Sequence, residues 1–226
     1  MGPEILKTTL KSASFNVVYQ VFFRVVTFLL NALVVRFVSH DVIGVINVRL
    51  LLLESTILFL SREAFRKTAL SQAEEHSWQQ IINLIWLILP LSLFIAIGLS
   101  FVWIHMLQVP TSTVTPHYEF GVWCISLSCI IEILSEPLYI ISQAYAFIKL
   151  KIVLASLTVG VRAFIFVPWV IFSPQNAVIA FSVAQITANI CYSGGFYLYF
   201  LHYLKLNNNI MNKNHNLSKS NSGTSS

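Results

Sequence analysis

The sequence predicts an all-α protein that crosses a membrane several times, and three observations support this fold class. Hydrophobic residues make up 56% of the 226 positions and charged residues only 10%, whereas soluble domains carry about 25% charged residues. Six apolar runs each reach the length of about 20 residues that a helix needs to span a bilayer core. Basic residues lie in the connections on one side of these runs, as charges that orient membrane proteins do. We therefore expect a six-helix transmembrane bundle.

The six predicted spans follow one another through short connections. The connections at 109–116 and 173–176 contain proline and do not continue a helix. Pro137 removes a hydrogen bond inside the fourth span, which predicts a kink there. The spans lie at about residues 14–38, 42–61, 81–108, 119–146, 152–173 and 177–203, so residues 1–203 form one predicted transmembrane bundle.

Residues 204–226 differ in composition from the rest of the chain. Asn, Ser and Lys replace the apolar residues of the sixth span. Too little apolar surface remains to offset the loss of chain entropy on ordering. We therefore expect a disordered cytosolic tail.

The distribution of lysine and arginine orients the predicted bundle. Of the 14 basic residues, ten flank the spans on one side, and the loops on the other side contain none. Because cytosolic connections are enriched in Lys and Arg, we expect both termini in the cytosol. Residues 62–80 are polar and helix-favouring, which predicts a cytosolic helix continuing the second span. The ten residues are Lys7, Lys11, Arg62, Arg66, Lys67, Lys149, Lys151, Lys205, Lys213 and Lys219.

Polar residues recur at helical spacing inside four spans. In the first span, Gln20, Arg24, Thr27 and Asn31 share one narrow helix face. A charge at the bilayer centre costs at least about 2.5–3.5 kcal/mol, so such side chains should face a protein interior or a cavity. The stripes predict a shared hydrophilic cavity, with Arg24 and Asn31 as leading lining residues. The other stripes are Asn47, Glu54 and Ser61; Ser128, Glu132, Ser135, Tyr139 and Gln143; and Ser182, Gln185, Asn189 and Ser193.

Each stripe also has a purely structural interpretation. Ser, Asn and Gln at helix interfaces form interhelical hydrogen bonds without any ligand. Glu132 and Glu136 either contact a substrate or pair with arginines of other spans. The candidate partners within spans are Arg24, Arg49 and Arg162.

Signatures of an enzyme, a metal site or a nucleic-acid binder are missing from the sequence. The six histidines show no metal-ligand spacing, and there is no glycine-rich phosphate loop or recognisable catalytic grouping. The three cysteines lie inside apolar runs, where they pack as small hydrophobic residues. The net charge of +5 comes from residues that flank spans, not from a polar basic patch. We expect no catalytic residue, no cofactor, no metal and no nucleic-acid partner.

Several segments resemble one family of membrane proteins. Residues 45–50 and 59–66 are similar to the Rft ("requiring fifty-three") family, and the Arg-Glu-Ala-Phe-Arg segment from Arg62 to Arg66 is the most specific match. The resemblance extends from about residue 14 to 203. Further similar segments lie at 22–28, 109–110, 116–118, 132–137 and 147–151.

The resemblance implies a fold and a function. The family belongs to the exporters of multidrug, oligosaccharidyl-lipid and polysaccharide substrates, which have two helical bundles around a central cavity. Members are longer than this chain, so we expect one half of a two-bundle exporter fold. The implied role is to move a dolichol-diphosphate oligosaccharide from the cytosolic to the lumenal leaflet of the endoplasmic reticulum for N-glycosylation. Membrane lipids and other N-glycosylation proteins are the further partners to expect.

Under this interpretation, forked arginine donors suit the phosphates of the lipid. Arg62 and Arg66 lie where a headgroup would enter from the cytosol, unless they only orient the span. Alternating access needs two halves that move against each other, so this chain alone is not expected to transport. The predicted substrate-binding residues are Arg24, Asn31, Arg49, Arg62, Arg66, Glu132, Glu136 and Lys151.

Two alternatives stay open from the sequence. A non-transporting accessory protein of the N-glycosylation pathway would need the same topology and the same intramembrane charges. An ion-coupled exporter of small molecules would use Glu54, Glu132 and Glu136 as coupling sites, although the number of intramembrane arginines disfavours it.

Overall fold

The computed structural model describes residues 3–71, 83, 86–107, 117–144 and 148–222. Within these ranges every regular element is helical, which confirms the predicted all-α class. The α-helices are α1 (Pro3–Phe37), α2 (His40–Gly44), α3 (Leu51–Ser71), α4 (Ile88–His105), α5 (Tyr118–Ile133), α6 (Glu136–Ala144), α7 (Ile148–Phe172) and α8 (Ala177–Ser222).

Five of these helical stretches are long and apolar enough to cross a membrane. A sixth is the pair α5 and α6, which together have the length of one span and are bent by 45°. The described chain thus has five stretches that can span a membrane, or six with the bent pair counted as one span, which confirms an all-α protein with several membrane-spanning helices. The single stretches are Gln20–Phe37, His40–Lys67, Ile88–His105, Lys149–Phe172 and Pro174–Asn209.

The break between α5 and α6 lies at Leu134 and Ser135, directly before Pro137. Proline has no backbone N–H to donate to the carbonyl four residues earlier, so the helix loses a hydrogen bond at this point and bends readily there. The Ser135 hydroxyl donates to the Glu132 carbonyl at 2.7 Å, and the Tyr197 hydroxyl donates to the Leu134 carbonyl at 2.9 Å. The predicted kink at Pro137 is confirmed.

The second span contains a turn of π-helix at Val45–Leu50, between α2 and α3. At its end the Leu51 N–H donates to the Ile46 carbonyl, five residues back. The Trp103 indole N–H of α4 donates to the Arg49 carbonyl at 3.1 Å, which ties this wide turn to the next span. Such turns change which side chains share a helix face.

Helix α8 packs between α5 and α7 and forms the centre of the described bundle. Gly121 allows a close approach of α5 to α8, because a Cβ there would lie 2.8 Å from the Val178 Cγ1. Helix α1 packs along α7. The fully buried large side chains include Leu50, Leu53, Ile57, Ile125 and Phe196.

The C-terminal part of α8 differs from the expected disordered tail. The helix continues through Ser222, although side chains from Leu201 to Asn209 are all exposed. A helix whose first half is fixed by packing needs no new nucleation, so extending it costs far less than starting one. Residues 72–80, the end of the predicted cytosolic helix after the second span, lie outside the described residues.

Candidate functional site

Two arginines of α3 hold two glutamates of the bent span in what we term the charge cluster: Arg62, Arg66, Glu132 and Glu136. Arg62 Nη1 donates to Glu132 Oε1 at 2.6 Å and to Glu136 Oε1 at 3.1 Å. Arg66 binds Glu136 at two points, through Nε to Oε2 at 2.8 Å and through Nη2 to Oε1 at 2.6 Å. Such two-point guanidinium–carboxylate pairs are among the strongest side-chain hydrogen bonds.

The charge cluster forms because two arginines and two glutamates with the same separation along the chain lie opposite each other. Arg62 and Arg66 are one turn apart on α3, and Glu132 and Glu136 have the same separation across the helix break. The Glu136 side chain is only 2% exposed, and the other three are 15–17% exposed. Removing Arg62 would leave Glu132 without its ionic partner, and removing Arg66 would leave Glu136 with only the 3.1 Å contact to Arg62.

A second polar group lies deeper in the bundle. Gln185 Nε2 of α8 donates to Glu54 Oε1 of α3 at 2.8 Å, and Arg162 Nη1 of α7 donates to Gln185 Oε1 at 3.0 Å. Gln185 therefore links a carboxylate and a guanidinium of opposite charge. Among the described residues, Glu54 Oε2 is buried without a hydrogen-bond partner.

The polar stripe of α8 connects this group to the charge cluster. Asn189 Nδ2 donates to the Ser128 carbonyl at 3.0 Å and to Glu132 Oε2 at 3.3 Å. The Ser193 hydroxyl donates to the Ile131 carbonyl at 2.6 Å. The stripes of the second, fourth and sixth spans thus meet one another directly, as the interhelical hydrogen-bonding interpretation predicts.

Tyr139 of α6 lies between two cations. The Arg66 guanidinium carbon is 3.9 Å from the centre of its ring, and Lys151 Nζ of α7 is 4.6 Å from it. Both separations fall within the range of cation–π attraction. Tyr139 therefore connects the charge cluster to the start of α7.

A groove of about 620 Å³ runs between α1 and α7. Thr27 and Val159 also line a smaller cavity of about 140 Å³, which is bordered by Asn47 and Arg162. The groove and the inner cavity are therefore adjacent. The polar residues that line the groove are Gln20, Arg24, Thr27, Lys151 and Ser156.

The structure distributes the predicted binding residues over three places. Arg62, Arg66, Glu132 and Glu136 form the charge cluster, and Arg24 and Lys151 line the groove. Arg49 lies apart from both, with its guanidinium carbon 6.0 Å from the centre of the Tyr118 ring. The predicted site residue Asn31 has a side chain outside the described part of the chain.

The expected arginine partners of the two glutamates were wrong. Arg24, Arg49 and Arg162 were the candidates, but Arg62 and Arg66 make the contacts. Their position at the end of a span suggested a flanking role, whereas α3 continues to Ser71 and keeps them packed against α6. The shared spacing of the two pairs is the sequence signal that points to this match.

The fold and these contacts define the class of protein: a helical membrane protein with several spans and a paired set of charges inside its bundle. A family model described as "Rft protein" matches residues 8–226. The chain belongs to the Rft family.

Curated relatives carry one shared name, "Man(5)GlcNAc(2)-PP-dolichol translocation protein RFT1". The chain is 39% identical to the Xenopus tropicalis protein over 201 residues, covering 89% of this chain and 37% of that protein. It is 41% identical to the Mus musculus protein over 183 residues, covering 81% and 34%. For Drosophila melanogaster the identity is 38% over 210 residues, covering 91% and 38%. The chain thus spans little more than a third of these relatives, and no solved structure matches it.

Proposed function

We propose that this chain supplies a six-span bundle to a protein that moves a dolichol-diphosphate-linked oligosaccharide across the endoplasmic reticulum membrane. The substrate would pass from the cytosolic to the lumenal leaflet and serve protein N-glycosylation. The family match over residues 8–226, together with the shared name of the relatives, carries this proposal.

The chemistry of the bundle supports the proposal. A diphosphate linkage brings negative charge into a hydrocarbon layer, where each charge is costly unless it is paired. This bundle carries arginines at several depths, from Arg66 near the end of the second span to Arg162 within α7. Guanidinium groups suit phosphate because their donors are arranged in a fork.

The ion-coupled exporter is the less supported alternative. Its coupling sites would be the three intramembrane glutamates, which must exchange protons or cations. Glu132 and Glu136 are instead engaged by Arg62 and Arg66 at 2.6 to 3.1 Å. Carboxylate oxygens that already accept from guanidinium groups at these distances are not free to bind a transported cation, which disfavours a coupling role for Glu132 and Glu136.

A chimaera tests the proposed function with a complete two-bundle protein. This chain replaces the matching third of the Xenopus tropicalis relative, in cells depleted of their own family member. We expect restored glycosylation of a reporter glycoprotein and loss of the accumulated Man(5)GlcNAc(2)-PP-dolichol. A chimaera present at the normal level in the endoplasmic reticulum but without rescue would contradict the proposal.

Reconstitution separates transport from assistance. The purified chimaera is placed in vesicles that contain a labelled dolichol-diphosphate oligosaccharide in both leaflets. A probe added outside the vesicles then measures the fraction of the labelled lipid that reaches the outer leaflet. Protein-dependent exchange between leaflets supports the translocator. Cellular rescue without exchange in vesicles supports the accessory protein and contradicts direct transport.

A further inference from the structure

The groove between α1 and α7 holds two cations that have no carboxylate partner within the described part of the chain. Arg24 of α1 and Lys151 of α7 both line it, and no Asp or Glu is among its lining residues. Among the described residues, neither cation is in an ion pair, whereas Arg62 has two and Arg66 has one. Two unpaired positive charges beside one space attract an anion.

Lys151 is held in place instead of moving freely. Its Nζ lies 4.6 Å from the centre of the Tyr139 ring. The guanidinium carbon of Arg66 lies 3.9 Å from the centre of the same ring. The Lys151 side chain is therefore oriented before any ligand arrives. Preorganised charges bind better because less conformational freedom is lost on binding.

The remaining lining suits a lipid with a polar headgroup. Thr27 and Ser156 add hydroxyl oxygens to the lining, although Thr27 donates its own proton to the Phe23 carbonyl at 2.7 Å. Phe23, Phe28 and Ile152 supply apolar surface along the same groove. Its volume of about 620 Å³ falls within the range of small-molecule sites, about 300–1,000 Å³. Polar and apolar surfaces thus lie side by side in one groove.

We infer that this groove binds the diphosphate of a polyprenyl-diphosphate lipid, with Arg24 and Lys151 as phosphate ligands and Tyr139 as the positioning residue for Lys151. The inference rests on the proposed function for its substrate class. It adds the place where the headgroup binds and the residues that hold it. The prenyl chain lies along the apolar wall of the groove.

Binding to the purified chain tests the inference directly. The probe is a short-chain polyprenyl diphosphate added to the full chain in detergent, with binding measured by native mass spectrometry and by the shift in melting temperature. We expect Arg24→Gln and Lys151→Gln each to weaken binding roughly tenfold, since each removes one charge-assisted contact to phosphate. Two matched controls should bind as the unchanged chain does: Arg36→Gln, an exposed arginine on α1, and Lys149→Gln, an exposed lysine on α7.

Tyr139 variants separate positioning from packing. Tyr139→Phe retains the ring and should bind normally, whereas Tyr139→Leu should weaken binding like Lys151→Gln. The double variant Tyr139→Leu/Lys151→Gln should bind about as weakly as Lys151→Gln alone. The Tyr139 ring affects binding only by positioning Lys151, so its loss adds little once the lysine is gone. Equal weakening by Tyr139→Phe and Tyr139→Leu would overturn the positioning role.

Two further outcomes decide the ligand. Competition by inorganic diphosphate as strong as that by the lipid would overturn a lipid site, as would equal binding of uncharged polyprenol. Unchanged binding in Arg24→Gln and Lys151→Gln would overturn the groove assignment. The assay contains no glycosylation step, so its failure is distinguishable from failure of the chimaera to restore glycosylation.

Discussion

Arg62 holds carboxylates from two different helices, Glu132 of α5 and Glu136 of α6, and thereby bridges the break between them. Lys67 lies on the same helix but is 76% exposed, and its ion pair in the described structure is with Glu63, at 3.8 Å. The two side chains have the same charge but differ in burial and in the forked donors that only the guanidinium offers. Exposed pairs contribute about 0–1 kcal/mol, whereas breaking a buried pair costs about 3–5 kcal/mol.

Arg62→Gln should therefore destabilise the chain strongly, by up to about 3–5 kcal/mol. Lys67→Gln is the matched control and should change stability by less than about 1 kcal/mol. Unfolding of the purified chain in mixed micelles, followed by circular dichroism, measures both. Equal stability of the two variants would contradict a structural role for the charge cluster.

The charge cluster also changes how loss-of-function variants at Arg62 and Arg66 are to be interpreted. If either residue served only headgroup entry, neutral variants would lower glycosylation while leaving stability unchanged. The observed pairing with Glu132 and Glu136 predicts that stability falls as well. Measuring both quantities on the same variants distinguishes the two roles.

At the scale of the helices, the bent span shows how one residue sets the direction of a whole segment. Pro137 cannot donate to the Ile133 carbonyl, and the 45° bend places Glu136 against Arg66. Pro168 lies inside α7, which continues to Phe172 without a break. The two prolines therefore differ in their structural effect.

Pro137→Ala should straighten the span in part and increase the protection of amides 134–139. Hydrogen–deuterium exchange with mass spectrometry measures this protection in the purified chain. Pro168→Ala is the control and should leave these amides unchanged. Unaltered exchange in Pro137→Ala would mean that the bend is held by other contacts, such as that of Tyr197 with the Leu134 carbonyl.

The contact between α5 and α8 depends on the missing side chain at Gly121. Its Cβ would lie 2.8 Å from Val178 Cγ1, and a valine in a helix has one strongly preferred rotamer. Gly121→Ala should therefore destabilise by about 1–3 kcal/mol. Gly98→Ala, where a Cβ meets nothing within 4 Å, should be neutral or slightly stabilising. Comparable melting temperatures for the two variants would contradict this packing.

At the scale of the whole molecule, hydropathy alone predicts the six spans, because the length of an apolar helix is a local property. The kink at Pro137 was equally local. The partners of Glu132 and Glu136 depend on how α3 packs against α5 and α6, and no single segment contains that information. The sequence suggested one shared cavity, but the structure closes three stripes on one another and leaves Arg24 beside a separate groove.

Six spans, as the apolar runs of the sequence predict, together with the basic connections place both termini on the cytosolic side as an expectation. An engineered glycosylation acceptor in the connection at 109–116 should then be modified in the endoplasmic reticulum. The natural acceptor sequence at Asn216 should stay unmodified, since it would face the cytosol. Glycosidase-sensitive mobility on denaturing gels reads out both sites, and modification at Asn216 would contradict this orientation.

The pairing within the charge cluster has an electrical consequence. Moving one net charge through a membrane potential involves work of about 2.3 kcal/mol per 100 mV. The two arginines and two glutamates of the cluster, when ionised, sum to no net charge, so helices that carry them together through the field do almost no electrical work. Arg24 and Lys151 carry two positive charges when their groove is empty, and a bound diphosphate would neutralise them. The contribution of the groove to any voltage response would therefore be present when the groove is empty and nearly vanish when it is loaded.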